Sequence, residues 1–277
     1  MAIGNCGIIG IGLMGGSLGL ALRCRGVRVV AVDESEAALG RALEKGAADE
    51  GSPDPTILSN ADLVVICTPP RAILPAAAKA LPHLTPGSLV ADFASVKGPL
   101  VYQLEELLQP KLRFIGLHPM CGSAGQGVEA AQAALFTGAV LVMTPTTATV
   151  RSALEEAGEL ARLLQMRVIS LTPEEHDRQV AWVSHLPYLL AAALARVAPG
   201  LDCAGPSFRD ATRVAMSPPV LWEEILSLNR SHLAAAVDQL CAELSRLGGL
   251  EGERLKAALE EARSRRGGWD ALRKGNG

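Results

Sequence analysis

Three glycines near the N-terminus constrain this chain more than any other feature. Gly10, Gly12 and Gly15 have the spacing G-x-G-x-x-G, after an apolar run at residues 6–9 and before a helical pattern at residues 17–25. In an α/β fold the first glycine permits a tight turn, the second lets the backbone approach a pyrophosphate, and the third lets the helix pack closely on the strand. The N–H groups at the start of that helix favour an anion. The segment is therefore predicted to be a strand, a tight turn and a helix that bind a dinucleotide, the alternative being a glycine-rich turn of an ordinary α/β protein.

An acidic residue follows the second apolar run. Residues 27–32 are apolar apart from Arg28 and are followed by Asp33, which lies 18 residues after Gly15. A carboxylate at this place accepts hydrogen bonds from both hydroxyls of an adenine ribose. Because its charge would repel a 2′-phosphate, Asp33 favours NAD over NADP as the cofactor.

Six apolar runs alternate with helical patterns, at residues 6–9, 27–32, 63–67, 88–93, 114–117 and 139–143. Continuous apolar strands between helices predict a parallel sheet covered on both faces. Ligands bind beyond the carboxyl ends of such strands, so Thr68, Ser95 and the loop after Leu117 should face one crevice. The predicted cofactor-contacting residues are Gly10, Gly12, Leu13, Met14, Gly15, Asp33, Thr68, Pro69 and Ser95.

The character of the chain changes near residue 170. Thr172-Pro173-Glu174-Glu175 has the pattern of a capping box, and apolar residues then recur at helical spacing up to residue 197. A second long helix is predicted from Pro219 to Gly248, with leucines every seven residues. We therefore predict an α/β fold: a Rossmann-type dinucleotide-binding domain at residues 1–170, and an all-helical domain at residues 171–277 that binds substrate and dimerises.

Composition argues against several classes of function. A net charge of -3 gives no electrostatic reason to expect nucleic acid as a partner. The six cysteines include no C-x-x-C pair, which favours free thiols in a reducing cytoplasm. No membrane span is expected, because we find no uncharged apolar run of membrane-spanning length. The histidines lack the compact spacing of a metal site, so no metal is expected either.

Three clusters carry side chains suited to chemistry. They contain His118 with Pro119, then His176-Asp177 with Ser184-His185, and finally Arg209 with Arg213. A dehydrogenase often needs a base that accepts an alcohol proton, and histidine suits neutral pH. An acidic substrate needs arginine, whose guanidinium binds a carboxylate at two places. The alternatives are structural hydrogen bonds for the histidines and surface ion pairs for the arginines.

Taken together, the motifs resemble one family, the prephenate and arogenate dehydrogenases of tyrosine biosynthesis. The matching segments occur in order over a stretch, residues 10–222, that is about three-quarters of the chain: GIGLMGGS at 10–17, DFASVKG at 92–98, GLHPMCGS at 116–123, LFTGAVLVMTPT at 135–146, HDRQVAWVSHLP at 176–187 and FRDATRVAMSPPVLW at 208–222. The resemblance implies oxidative decarboxylation with hydride transfer to a nicotinamide cofactor. Prephenate would give 4-hydroxyphenylpyruvate, and arogenate would give tyrosine.

The resemblance also implies roles for individual residues. His118 would face the 4-hydroxyl of the substrate as the base, and Ser95 would assist that contact. Arg213 would bind the ring carboxylate, and His185 would line the substrate pocket. The helical domain would join two copies of the chain as a homodimer, and the ligand of the site would be a small-molecule substrate, prephenate or arogenate.

Two departures leave the substrate and cofactor open. Many prephenate-using relatives have a second histidine in the sequence HLPH, whereas this chain has Tyr188 there, our candidate for substrate discrimination. The chain is also similar to short cyanobacterial-type arogenate dehydrogenases, which favour NADP, although Asp33 favours NAD.

Two other functions remain as alternatives. A β-hydroxyacid dehydrogenase would share the two-domain plan, but its catalytic lysine lies on a central helix, and the helix predicted from Thr172 contains no lysine. A non-catalytic nucleotide-binding module would be expected to have lost His118 or Arg213, and both are present.

Overall fold

The computed structural model describes residues 3–123 and 125–274, and side chains up to residue 269. Eight strands form one sheet: β1 (Asn5–Ile9), β2 (Arg28–Val32), β3 (Glu50–Ser52), β4 (Leu63–Ile66), β5 (Leu89–Asp92), β6 (Arg113–Pro119), β7 (Val140–Thr144) and β8 (Arg167–Ser170). All six predicted runs are strands. The two strands that were not predicted, β3 and β8, are short, and Val168 and Ile169 of β8 are exposed.

The sheet has the strand order β3-β2-β1-β4-β5-β6-β7-β8. Its strands pair in parallel except β6 and β7, which are antiparallel, so the prediction of a wholly parallel sheet is corrected at this pair. Parallel neighbours need a crossover, usually a helix. The described part of the β6–β7 connection contains two short 3₁₀ helices, Val128–Ala130 and Ala133–Phe136, so the chain re-enters the sheet from the edge at which β6 ends.

Five helices accompany the sheet: α1 (Leu13–Arg23), α2 (Glu36–Glu44), α3 (Pro70–Ala80), α4 (Gly98–Leu108) and α5 (Arg151–Leu163). Two apolar cores lie on opposite faces. Helices α1, α2 and α5 contribute to one core, and α3 and α4 contribute to the other. Successive strand residues alternate between them, as Ile8 and Ile9 do. This is the expected Rossmann-type layering, and it places the carboxyl ends of β1, β2, β4 and β5 at one edge.

A helical region follows the sheet, as predicted. It comprises α6 (Pro173–Val180), a π-helical turn (Ala181–His185), α7 (Leu186–Val197), α8 (Pro206–Thr212), a 3₁₀ helix (Arg213–Met216), α9 (Pro219–Leu228), α10 (Arg230–Gly248) and α11 (Gly252–Lys274). The capping box is confirmed: the Thr172 side chain accepts from the Glu175 N–H, and the Glu175 carboxylate accepts from the Thr172 N–H. Pro187 lies directly after the π-helical turn, inside a helical run that continues without a break from Pro173 to Val197, and it has no N–H to donate along that run.

The prediction of one continuous helix from Pro219 to Gly248 is wrong. The helix ends at Leu228, and Asn229 leaves the helical conformation with φ −110° and ψ 28°. Its side chain is buried and donates to the Asp177 carbonyl oxygen at 2.7 Å. The leucine spacing continues across this break. It therefore gives no sign that the Asn229 side chain is buried and hydrogen bonded to another part of the chain.

One run in the described chain, Pro173–Val197, passes a test of length and composition for a membrane span, with a mean hydropathy of 1.4. No membrane span was expected from the sequence. Its first turns bury His176 and Asp177, and Asp177 accepts hydrogen bonds from the Lys97 and Gly98 N–H groups after β5. These contacts are those of a helix packed in a folded domain.

The described residues divide into two compact units, one that ends at Asn229 and one that begins at Arg230. The first contains the sheet and the helices up to α9, since α6 is hydrogen bonded to the loop after β5. The second contains α10 and α11. The sequence-based boundary after residue 170 remains a prediction.

Candidate functional site

The glycine turn lies between β1 and α1. Gly10 has a φ of 92°, in the left-handed region that favours glycine, and its N–H donates to the Val32 carbonyl oxygen at 2.8 Å. A Cβ at Gly15 would collide with the Gly10 carbonyl oxygen, whereas a Cβ at Gly12 would meet nothing within 4 Å. Gly10 thus makes the tight turn, Gly12 leaves space for a ligand to approach, and Gly15 allows the close contact between helix and turn. Leu13 and Met14 begin α1, whose first N–H groups face the end of the turn.

Asp33 follows β2 and points back to this turn. One carboxylate oxygen accepts from the Ile11 N–H at 2.8 Å, and the other accepts from the Ser35 N–H at 2.9 Å. Each ionised carboxylate oxygen has a second lone pair, so both retain capacity for another donor. Asp33 is partly exposed and fixed in place, as a ribose-binding carboxylate requires.

The end of β4 forms the neighbouring wall. The Thr68 N–H lies close to Gly10, at 2.9 Å from where a Gly10 Cβ would be. The buried Thr68 hydroxyl oxygen has no hydrogen-bond partner among the described residues, and Pro69 next to it is exposed. An unpartnered buried hydroxyl beside an open glycine turn fits a site that is completed by a ligand. Ser95 is half-buried in the loop after β5, at the same edge of the sheet.

His118 lies near the end of β6, one residue inside the strand rather than after it. It is buried, and its Nδ1 is 2.8 Å from Nε2 of His176 on α6. The other ring nitrogen of His176, Nδ1, is 2.7 Å from Oδ1 of Asp177. Asp177 in turn accepts from the Lys97 N–H at 2.8 Å and from the Gly98 N–H at 2.7 Å. These contacts form a line from the start of α4 to His118.

The acceptor character of Asp177 determines the protons along this line. An ionised carboxylate only accepts, so His176 donates from Nδ1 and, when neutral, presents a lone pair at Nε2. His118 then donates from Nδ1 to His176, which leaves the lone pair of His118 on Nε2. A histidine in this tautomer can take a proton from a hydroxyl group.

The electrostatic surroundings keep these imidazoles neutral. Burial is the main cause that lowers the pKa of His118 well below its usual value, and the neighbouring His176, Lys97 and His185 lower it further. Burial also lowers the pKa of His176, although the hydrogen bond to Asp177 opposes the shift. At neutral pH the lone pair on His118 is therefore available.

A buried ion pair supports the loop after β5. The Lys97 ammonium group contacts the Asp92 carboxylate, and both side chains are fully buried. Burial lowers the pKa of Lys97 and raises that of Asp92, while their mutual attraction opposes both shifts. Removing one partner would leave a buried charge without its counter-ion, so this pair holds the backbone that carries Ser95.

His185 ends the π-helical turn and is buried. Asn229 Nδ2 donates to its Nδ1 at 3.1 Å, so the imidazole carries its proton on Nε2. Nε2 has no partner among the described residues, and burial lowers the pKa of His185 to about 4. The site thus contains a neutral, buried N–H donor whose acceptor would be a ligand atom.

Tyr188 and Arg213 have different surroundings. Tyr188 is buried and stacks on Trp222 with parallel rings and a centroid separation of 3.9 Å. Arg213 is exposed, and its 3₁₀ helix packs against α7. Among the described residues no carboxylate pairs with Arg213, whereas Arg209 pairs with Asp210 at 3.6 Å. The surface ion-pair alternative therefore holds for Arg209, and the guanidinium of Arg213 is available to a ligand.

His176-Asp177 is a visible motif in the sequence but has no role predicted from it, and no sequence pattern points to Lys97 or Asn229. His176 lies 58 residues from His118, and no local spacing joins them. Their sequence signal was an adjacent histidine and aspartate one helical turn into a capped helix. Among the described residues, no three or more His, Cys, Asp or Glu side chains are arranged so that they could hold a metal ion.

Comparisons with known proteins match nearly the whole chain. The model of the prephenate dehydrogenase nucleotide-binding domain matches residues 18–170, and that of the prephenate dehydrogenase dimerization domain matches residues 172–254. A cyclohexadienyl dehydrogenase of Zymomonas mobilis is 33% identical over 253 residues, which are 87% of this chain and 86% of that protein.

Two solved structures are similar over almost their full lengths. Synechocystis arogenate dehydrogenase is 32% identical with a TM-score of 0.83, covering 96% of this chain and 99% of its own. Prephenate dehydrogenase from A. aeolicus, solved in complex with hydroxyphenyl propionate and NAD+, is 31% identical with a TM-score of 0.88, covering 95% of this chain and 96% of its own.

Proposed function

The chain belongs to the prephenate dehydrogenase family, and from this premise we propose that it oxidatively decarboxylates prephenate or arogenate in tyrosine biosynthesis. The observation that carries the proposal is the buried His118 near the end of β6, whose Nδ1 is 2.8 Å from His176 Nε2 and which lies at the same sheet edge as the glycine turn and Asp33. A nicotinamide dinucleotide, when bound, supplies the acceptor for the hydride. Gly10, Gly12 and Gly15 admit its pyrophosphate and Asp33 binds its ribose; Leu13, Met14, Thr68, Pro69 and Ser95 complete the site.

The proposed reaction gives each residue of the substrate site one role. His118 Nε2 takes the proton of the 4-hydroxyl group as C4 loses its hydride, and Ser95 supports that contact. The ring carboxylate, anchored by Arg213, leaves as carbon dioxide, and the electrons of the broken C–C bond make the ring aromatic with a 4-oxyanion. This oxyanion takes the proton back from His118 and becomes the phenol of the product. Aromatisation drives the reaction, so the protein chiefly orients the reactants and holds one proton between its removal and its return. His185 donates its buried N–H to a substrate oxygen.

The proposal is tested by steady-state kinetics with both substrates and both cofactors. We expect reduced nicotinamide to form with prephenate, arogenate or both. A β-hydroxy acid should not be oxidised, since the alternative dehydrogenase class needs a catalytic lysine on the central helix and Pro173–Val197 has none. Absence of reduced nicotinamide with both ring substrates would contradict the proposal.

We further propose that NAD is the preferred cofactor. Asp33 is fixed by the Ile11 and Ser35 N–H groups, so its charge cannot easily move away from a 2′-phosphate. We expect kcat/KM to be higher with NAD than with NADP, and Asp33→Asn to reduce the difference because it removes the charge and keeps the shape.

The control for this experiment is Glu34→Gln, which removes the same charge from the exposed neighbouring residue. It should leave the ratio of the two kcat/KM values nearly unchanged. A tenfold advantage for NADP in the unaltered enzyme would refute the assignment of Asp33.

Substrate discrimination is assigned to Tyr188. Prephenate and arogenate differ in a keto or amino group on the side chain, and Tyr188 occupies the place of the second histidine in many prephenate-using relatives. We expect Tyr188→His to raise the ratio of kcat/KM for prephenate to that for arogenate. Tyr188→Phe, which keeps the ring on Trp222 and removes the hydroxyl, is the matched control. If the ratio of the two kcat/KM values were unchanged in Tyr188→His, the role of Tyr188 would be limited to packing on Trp222.

We also propose a homodimer formed through the C-terminal helices. Several large apolar side chains on α7 and α9 are exposed, among them Leu190, Val197 and Val220. Contiguous exposed apolar surface is typical of an interface between subunits. The boundary between the nucleotide-binding domain (1–170) and the helical domain (171–277) is proposed on the capping box at Thr172.

Free thiols at all six cysteines support a reducing, cytoplasmic location.

A further inference from the structure

Two buried residues outside the assigned site lie behind the proposed base. His176 has no exposed side-chain surface, and Asp177 is 2% exposed. Both belong to α6, which begins at the capping box, whereas His118 belongs to β6. The fold therefore brings two elements together so that a carboxylate, an imidazole and a second imidazole share two hydrogen bonds of 2.7 and 2.8 Å.

From this arrangement we propose that His176 and Asp177 are positioning residues that fix the tautomer of His118 and share the charge it gains. The proposal rests on the proposed role of His118 as the base. Asp177 accepts from His176 Nδ1, His176 Nε2 accepts from His118 Nδ1, and His118 Nε2 faces the substrate. When His118 takes the hydroxyl proton on Nε2, its Nδ1–H bond to His176 becomes charge-assisted and hence stronger.

Asp177, His176 and His118 form a hydrogen-bonded relay. The start of α4 holds its Asp177 end. The carboxylate of Asp177 accepts from the Lys97 and Gly98 N–H groups, at the N-terminal end of a helix, where a negative charge is favoured. A Cβ at Gly98 would lie 2.8 Å from Asp177 Oδ2, so glycine is needed for this approach. Asn229, which follows α9, donates to the Asp177 carbonyl oxygen and so also holds the backbone of Asp177. Asp177 is thus held for reasons independent of the substrate.

The first test observes the tautomer directly and needs no catalysis. The unaltered protein is labelled with ¹⁵N-histidine, and His118→Asn assigns the signals of His118 among the five histidines. At neutral pH we expect a proton on His118 Nδ1 and none on Nε2. A proton on Nε2, or on both nitrogens, would overturn the proposal. Because this readout is spectroscopic, it is unaffected if neither ring substrate proves to be turned over.

The second test compares two substitutions at the middle of the relay. The Gln side chain in His176→Gln can place its amide oxygen near the position of Nε2 and still accept from His118, whereas His176→Leu removes the acceptor. We expect His176→Leu to lower kcat by about 10- to 100-fold with a much smaller change in KM, because a hydrogen bond to a charged group is lost. His176→Gln should recover most of that loss.

A control distinguishes two effects of changing Asp177: loss of its hydrogen bond to His176, and loss of a carboxylate that accepts from backbone N–H groups. Asp62 also accepts from two backbone N–H groups, those of Gly4 and Asn5, but no histidine is bonded to it. We expect Asp62→Asn to leave kcat nearly unchanged and Asp177→Asn to lower it. Equal kcat values for His176→Leu and His176→Gln, or for the unaltered enzyme and Asp177→Asn, would overturn the positioning role.

Discussion

His118→Asn is expected to lower kcat by about 10²-fold or more, because a general base contributes roughly 10²- to 10⁴-fold to a rate. Asparagine is the informative replacement. Its amide can remain near the position of Nδ1 and donate to His176, while it offers no basic nitrogen toward the substrate. Cofactor binding should change little, since the glycine turn and Asp33 lie on other strands. The measurement is kcat at saturating substrate together with the dissociation constant of the cofactor.

Two variants accompany this experiment. His83→Asn makes the same substitution in a partly exposed histidine at the end of a 3₁₀ helix and should leave kcat unchanged. Ser95→Ala removes one supporting hydrogen bond, worth about 0.5–1.5 kcal/mol, and should cost less than the loss of the base. Near-normal turnover in His118→Asn would refute the assignment of the base.

Arg213→Ala is expected to raise KM for prephenate and arogenate alike, since both substrates contain the ring carboxylate. If substrate binding desolvates this ion pair, its loss costs about 2–5 kcal/mol, or roughly 30- to 5000-fold in kcat/KM. Arg213 has no carboxylate partner among the described residues, so no existing ion pair competes for it. Arg213→Lys should recover only part of the loss, because an ammonium group cannot make the two-point contact.

The control is Arg209→Ala, which removes an exposed arginine four residues away that pairs with Asp210. It should leave KM nearly unchanged. If Arg213→Ala showed unaltered kinetics with both substrates, the carboxylate pocket would be placed wrongly, and the transfer of the family's mechanism to this chain would fail with it.

Local features of the fold could be predicted from the sequence. The glycine turn depends on one left-handed residue, Gly10, and on a contact that excludes a side chain, at Gly15. Both requirements are visible as residue type and spacing. Strands buried on both faces are also visible as continuous apolar runs. The edge strand β8 was missed because two of its four residues, Val168 and Ile169, are exposed apolar residues in a run too short to stand out.

Features that depend on the path of the chain could not be predicted. The antiparallel pairing of β6 and β7 follows from a connection without a crossover helix, and periodicity does not give the direction of a strand. The contact between His118 and His176 arises only when α6 packs beside the end of β6. The break at Asn229 leaves the leucine repeat unchanged and so could not be predicted from it; its cause is a buried amide that donates to Asp177 and His185.

The most direct test of the account measures reduced nicotinamide and carbon dioxide in the same reaction, with NAD and either prephenate or arogenate. The account predicts equal amounts of both, together with the same amount of 4-hydroxyphenylpyruvate from prephenate or tyrosine from arogenate. Formation of reduced nicotinamide without carbon dioxide, or no reduction with either substrate, would contradict oxidative decarboxylation as the function of this chain.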